Sequence, residues 1–110
     1  MDATKTDVPP GTLDLLLLKT LSLEPMHGLG ITRRLEQLTR GAFRVNPGSL
    51  FPALHGLEEG GWIAGSWGRS ENNRRARYYQ LTATGRRRLQ QQERIWRRTV
   101  ASIVRVLEAT

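Results

Sequence analysis

The 110-residue chain has no cysteine. Disulfides, thiolate metal sites and thiol nucleophiles are excluded together, as expected of a protein in a reducing compartment. Long apolar runs are missing too: the longest, Leu15–Leu18, falls far short of the ~20 residues a membrane span requires. The opening MDATKTDVPP is polar and ends in two prolines, unlike the basic and then apolar start of a secretory signal. A soluble, cytoplasmic protein is expected. Histidine is scarce, and His27 and His55 stand apart without HExxH spacing, so neither a metal site nor a cofactor is expected. Ser49 and His55 lie six positions apart on a candidate helix, about 240° around its axis, and cannot pair as nucleophile and base. The stretch GLGITR has Arg33 where a dinucleotide-binding loop needs its third glycine, and it follows a helix rather than a strand. No enzyme reading survives these absences. There is no internal repeat and no low-complexity segment.

What the chain has in excess is positive charge. Its net charge of +7 and pI of about 11.2 favour polyanionic partners, nucleic acid before an anionic membrane surface. The excess is local: residues 69–98 hold ten arginines against Glu71 and Glu93, while the remainder is nearly neutral. At 12.5 kDa and 38% hydrophobic residues the chain fits a single domain. Such a domain buries only roughly two-thirds of its unfolded surface, so a partner subunit would help to stabilise it.

Residues 1–11, polar and closed by Pro9, Pro10 and Gly11, read as an unstructured tail. Thr12 then suits an N-cap, and LDLLLLKTLSL carries leucines on nearly every face until Pro25 forces a stop. A helix apolar all round needs cover all round, from its own domain and from a second copy. A second helix places Ile31, Leu35 and Leu38 on one face and ends at Gly41. A third buries Leu50, Leu54 and Leu57 and ends at Gly60 and Gly61; Pro52 near its start favours capping by Ser49 over a distorted turn capped by Asn46. WIAGSWG and RARYYQL read as two strands joined by RSENN, with Tyr79 and Leu81 facing the core. From Thr82 to about Glu108 a long helix carries Leu89, Trp96, Val100, Ile103 and Leu107 on one stripe, and at ~1.5 Å per residue it outruns the domain it leaves.

Three helices followed by a hairpin is the order of a winged helix-turn-helix, a mainly α fold in which the third helix enters the major groove and the two-stranded wing touches the backbone or minor groove. The expected organisation is a tail over 1–11, the DNA-binding domain over 12–81 and a dimerisation helix over 82–110. DNA contacts are expected from Asn46, Ser49, Phe51, Pro52 and His55 on the third helix and from Asn73, Arg74, Arg75 and Arg77 in the wing. Clustered like charges at a hairpin tip gain nothing from each other, and phosphates would neutralise them. The dimer interface is expected from Leu15, Leu16, Leu18, Leu89, Trp96, Val100, Ile103 and Leu107. Trp96 suits either the dimer core or a stacking platform for a flat effector between subunits. Two alternatives stay open: a winged-helix interaction or ligand-sensing module without DNA readout, and an RNA-binding protein with Tyr78 as a stacking surface.

The segments GTLDLLLLKTLSLEPMHG, VNPGSLFPALHGLEEGGWI and SENNRRARYYQLTATGRRRL, with the terminal helix, resemble the PadR family of transcriptional regulators from about Gly11 to Leu107. The resemblance implies a homodimeric repressor with a short C-terminal helix, bound to a pseudo-palindromic operator of double-stranded DNA and released by a small-molecule effector. The family's pattern has tyrosine where Leu29 and Phe51 stand and a basic residue at Gly56.

Overall fold

The leucines of the first helix organise the body. The computed structural model describes residues 6–9 and 11–110, beginning with a short strand, β1 (Thr6–Asp7), and helix α1 (Leu13–Leu23). Leu17, Leu18, Thr20 and Leu21 of α1 are buried, and Leu15 and Leu16 are half-buried. Thr12 occupies the N-cap position, but its hydroxyl donates backward to the Pro9 carbonyl at 2.6 Å and caps no helical N–H. After Pro25 come strand β2 (Met26–His27) and helix α2 (Gly28–Leu38). His27 is the cap expected of a turn residue: its Nδ1 accepts from the Gly30 N–H at 3.1 Å. The chain leaves α2 through Gly41 at φ +78, where a left-handed backbone costs glycine little.

Strand β3 (Phe43–Arg44) pairs in parallel with β1, so two residues of the expected tail are ordered against the body. The first five residues of that tail and Pro10 lie outside the described residues.

Helix α3 (Pro47–Glu59) starts three residues earlier than Ser49 capping would allow. Asn46 is its N-cap, accepting the Ser49 N–H on Oδ1 at 3.0 Å. Pro47 takes the first helical position, where a missing N–H leaves no gap. Pro52 therefore lies inside the helix, and the bond it cannot donate would have gone to the carbonyl of Gly48, an exposed residue. Leu50, Leu54 and Leu57 are buried, as their spacing predicts.

Strands β4 (Ile63–Arg69) and β5 (Arg75–Leu81) form the expected hairpin, with Ile63 opposite Leu81 and Arg69 opposite Arg75. β2 adds a third strand, Met26 opposite Tyr79, giving the order β2-β5-β4. Two residues are too few for an alternation to show in sequence. Helix α4 (Ala83–Leu107) is capped by Thr82, whose Oγ1 accepts the Gly85 N–H at 3.0 Å and donates to the Gly61 carbonyl at 2.7 Å. Its first turns pack on α1 and bury Leu89, while every residue from Arg94 onward is exposed. This is the projecting helix that its length required.

Two stability changes follow. Leu54 is fully buried, so Leu54→Ala should lower the unfolding free energy by about 2–5 kcal/mol in chemical denaturation. Asn46→Ala should cost about 1 kcal/mol, whereas Ser49→Ala, losing no cap, should stay within about 0.5 kcal/mol of the parent chain.

Candidate nucleic-acid interface

A winged-helix body offers its third helix and its hairpin side by side, and in this chain the two contribute different chemistry. With Leu50, Leu54 and Leu57 facing inward, α3 turns Ser49, Pro52 and His55 to solvent, and Asn46 stands exposed at its start. The Asn46 carbonyl oxygen is occupied by its cap, so only its amide N–H groups remain to donate. Phe51 is only partly outward. Its ring lies over Gly28 of α2, where a Cβ would sit 3.0 Å from Cε1, and 43% of the residue stays accessible. A Cβ at Gly56 would meet nothing, so the outer surface of α3 is low and open there. The helix carries no arginine or lysine and ends in Glu58 and Glu59. Any base reading by α3 falls to a hydroxyl, an imidazole and an aromatic edge.

The cations are on the wing. A tight turn joins its strands: the Ser70 N–H donates to the Arg74 carbonyl and the Asn73 N–H to the Ser70 carbonyl, both at 2.8 Å. Asn73 takes a left-handed φ of 57 there, a conformation asparagine tolerates. Its Oδ1 accepts Arg69 Nη1 at 3.3 Å, so it builds the turn as well as facing solvent. The guanidinium of Arg74 has no partner among the described residues, and that of Arg75 lies over Trp67, 4.2 Å from the ring centroid. Both are exposed. Glu71 at the tip reaches back to Arg33 of α2 at 3.2 Å.

Arg77 does not belong with these free cations. It bonds the Glu58 carboxylate on α3, with both side chains about two-thirds buried. That hydrogen bond raises its already high pKa further. Burial, and after it the Glu58 charge, also pushes the Tyr79 phenol up. The sequence held a signal for this: Arg77 shares the parity of Tyr79 and Leu81, so it stands on the face that continues the core. Trp67 lies opposite Arg77 on that face and supports Arg75, a role beyond simple packing.

The expected dimer residues divide in the same way. Leu18, at 0% exposure, and Leu89, at 5%, belong to the chain's own core and are closed to any partner. Leu15 and Leu16 are half-buried against that core. Trp96, Val100, Ile103 and Leu107 are exposed in line along α4. Ile95, Val104 and Val106 widen this apolar face; they flank the stripe at helical spacing, and reading the stripe one residue wide missed them. A shallow groove beside Trp96 is lined by Glu93, Arg97, Val100 and Ala101.

Among the described residues no group of His, Cys, Asp and Glu could hold a metal ion, and no helix is long and apolar enough to cross a membrane.

Known proteins resemble the chain along most of its length. Residues 17–91 match the transcriptional regulator PadR-like family. Transcriptional regulator Rv3488 of Mycobacterium tuberculosis is 38% identical over 69 residues, 63% of this chain and 61% of that protein, so under two-thirds of the relative's length is spanned. The crystal structure of a PadR family transcriptional regulator from Eggerthella lenta superposes with a TM-score of 0.78 at 27% identity, covering 91% of this chain and 85% of that one. A transcriptional regulator from Clostridium thermocellum, Cth-833, gives 0.78 at 25% identity over 86% and 92%. The family match runs from α1 through α3 and the hairpin into the first turns of α4, and the chain belongs to the PadR-like family of transcriptional regulators.

Proposed function

We propose that the chain works as a homodimeric transcriptional repressor that binds a pseudo-palindromic operator in double-stranded DNA. The observation that carries this reading is the juxtaposition of an exposed, uncharged helix surface, Asn46 to His55, with a wing that presents Arg74 and Arg75. The wing supplies phosphate affinity, and the helix selects bases. The apolar face of α4 supports the dimer: Ile95, Trp96, Val100, Ile103 and Val104 stand in water along a helix that has left its own core behind. Two copies related by a two-fold axis would read half-sites about 10 bp, or a multiple, apart. Trp96 and its groove are where a flat effector would act, because occupancy there would alter how the two copies meet.

One observation favours the competing reading of an interaction module that does not read DNA: α3 has no arginine or lysine. Selection of bound duplexes from a random pool separates the two. A repressor returns an inverted repeat, and an interaction module returns no enriched sequence.

Two outcomes are expected of variants. Replacing Arg74 and Arg75 with alanine should weaken binding to every sequence and reduce the slope of log K against log salt by roughly 0.9 for each phosphate that is no longer neutralised. Trp96→Asp or Ile103→Asp should convert the dimer to monomer in sedimentation velocity, since each places a charge in an apolar interface.

A further inference from the structure

The wing is thinly anchored. Tyr79 and Ile63 are its last fully buried side chains, and toward the turn both strands run beyond the core. The hairpin leaves α3 through Gly60 and Gly61, the latter at φ +77, a joint held by the Trp62 N–H on the Leu57 carbonyl and by the Thr82 hydroxyl on the Gly61 carbonyl. Beyond the pairing of β2 with β5, which ends at His27 opposite Tyr78, three side-chain contacts bear on the outer half. His27 meets Tyr78 edge to face at 5.2 Å. The Arg33–Glu71 pair leaves side-chain exposures of 56% and 71%, and water and salt screen such a pair strongly. The third contact is Glu58 with Arg77, at 29% and 31% exposure the most enclosed of the ion pairs among the described residues.

That pair has a built seat. Glu58 lies two residues before the glycine joint and Arg77 on the distant strand, so the bond closes a loop across the joint. The guanidinium lies over Gly65, where a Cβ would come within 2.7 Å of its Nε and Nη2, so any other residue would require the guanidinium to shift. The Trp67 ring flanks it at 5.5 Å, and Tyr79 adjoins it on the same face of β5. Bound to Glu58 and about two-thirds covered, the Arg77 guanidinium is less free than those of Arg74 and Arg75 to reach a phosphate.

We propose that Glu58 and Arg77 form a positioning clamp that holds the wing at a set angle to the recognition helix, so that base contacts from α3 and phosphate contacts from the wing are made together. Arg77 acts through geometry, and Glu58 assists DNA binding although it carries the charge that DNA repels. The inference rests on the DNA-binding reading above, and its test distinguishes the two.

The parent chain, measured against an operator taken from the random-pool selection, comes first; a parent that enriches no duplex overturns the DNA reading and the clamp's role with it. Glu58→Gln and Arg77→Lys are then compared by titration over a range of salt. Electrostatics alone expects Glu58→Gln to bind more tightly, having shed a negative charge, and Arg77→Lys to bind as the parent does, having kept a positive one. The clamp expects each to bind about tenfold more weakly, with the salt slope unchanged, and the double variant to be little worse than either single one. Thermal unfolding of the variants shows whether each is folded at the titration temperature. If either is not, the charge-swapped chain Glu58→Arg, Arg77→Glu replaces it, and recovery of affinity over the swapped chain's single components supports the clamp. Parent-like or tighter binding by Glu58→Gln, or additive losses in the double variant, would overturn it.

Discussion

The enclosure of α1 is the constraint on which the rest of the structure depends. Its leucines point in several directions, and α2, α3, α4 and β5 all pack against it. Leu17, Leu18, Leu21, Ile31, Leu35, Leu54, Leu57 and Leu89 share one core around it. A small domain has little apolar area available, and surrounding a single helix with its neighbours concentrates that area in one place. The same arrangement sets the functional geometry. Because α1 packs on the inner face of α3, the opposite face must look outward. Because β5 also packs on α1, the hairpin is rooted beside that face.

A second theme is how the fold distributes a large positive charge. Arginines that look equivalent in composition are put to different uses. Arg69 closes the wing turn through Asn73, Arg77 is bound to Glu58, Arg75 rests on Trp67, and Arg88 lies 3.9 Å over the ring of Trp62. Arg97 pairs with Glu93 one turn earlier on α4. Guanidinium groups suit all these tasks because they are planar, weakly hydrated and able to stack while they hydrogen-bond. What remains free on the wing is a much smaller set than the ten arginines of residues 69–98 suggest.

The apolar half of α4 presents the reverse problem. Its first turns are covered by α1, and its later turns have no cover among the described residues. One continuous stripe from Leu89 to Leu107 thus changes role along its length, from internal core to exposed face. The periodicity is the same throughout, so it marks which side of the helix is apolar and leaves open where the body ends.

The amino-acid pattern by itself determined what depends on near neighbours along the chain. The helices follow from leucine spacing, the α4 start from the Thr82 hydroxyl and the Gly85 N–H, the hairpin from alternation around a turn of Ser, Glu and Asn, and the outward face of α3 as the remainder once Leu50, Leu54 and Leu57 turn inward. Tertiary structure alone decided what depends on residues distant in sequence: the two-residue strand at Met26 joining β5, the pairing of Thr6–Asp7 with Phe43–Arg44, the burial of Leu18 and Leu89, and the meeting of Glu58 with Arg77. The start of α3 was local as well: Asn46 and Ser49 are both good caps, and Pro47, suited to the first helical position, goes with Asn46. The division has one physical cause. Periodicity and capping act over a few residues, whereas the fate of a charge or a leucine is decided by whatever the fold brings to within a few ångströms of it.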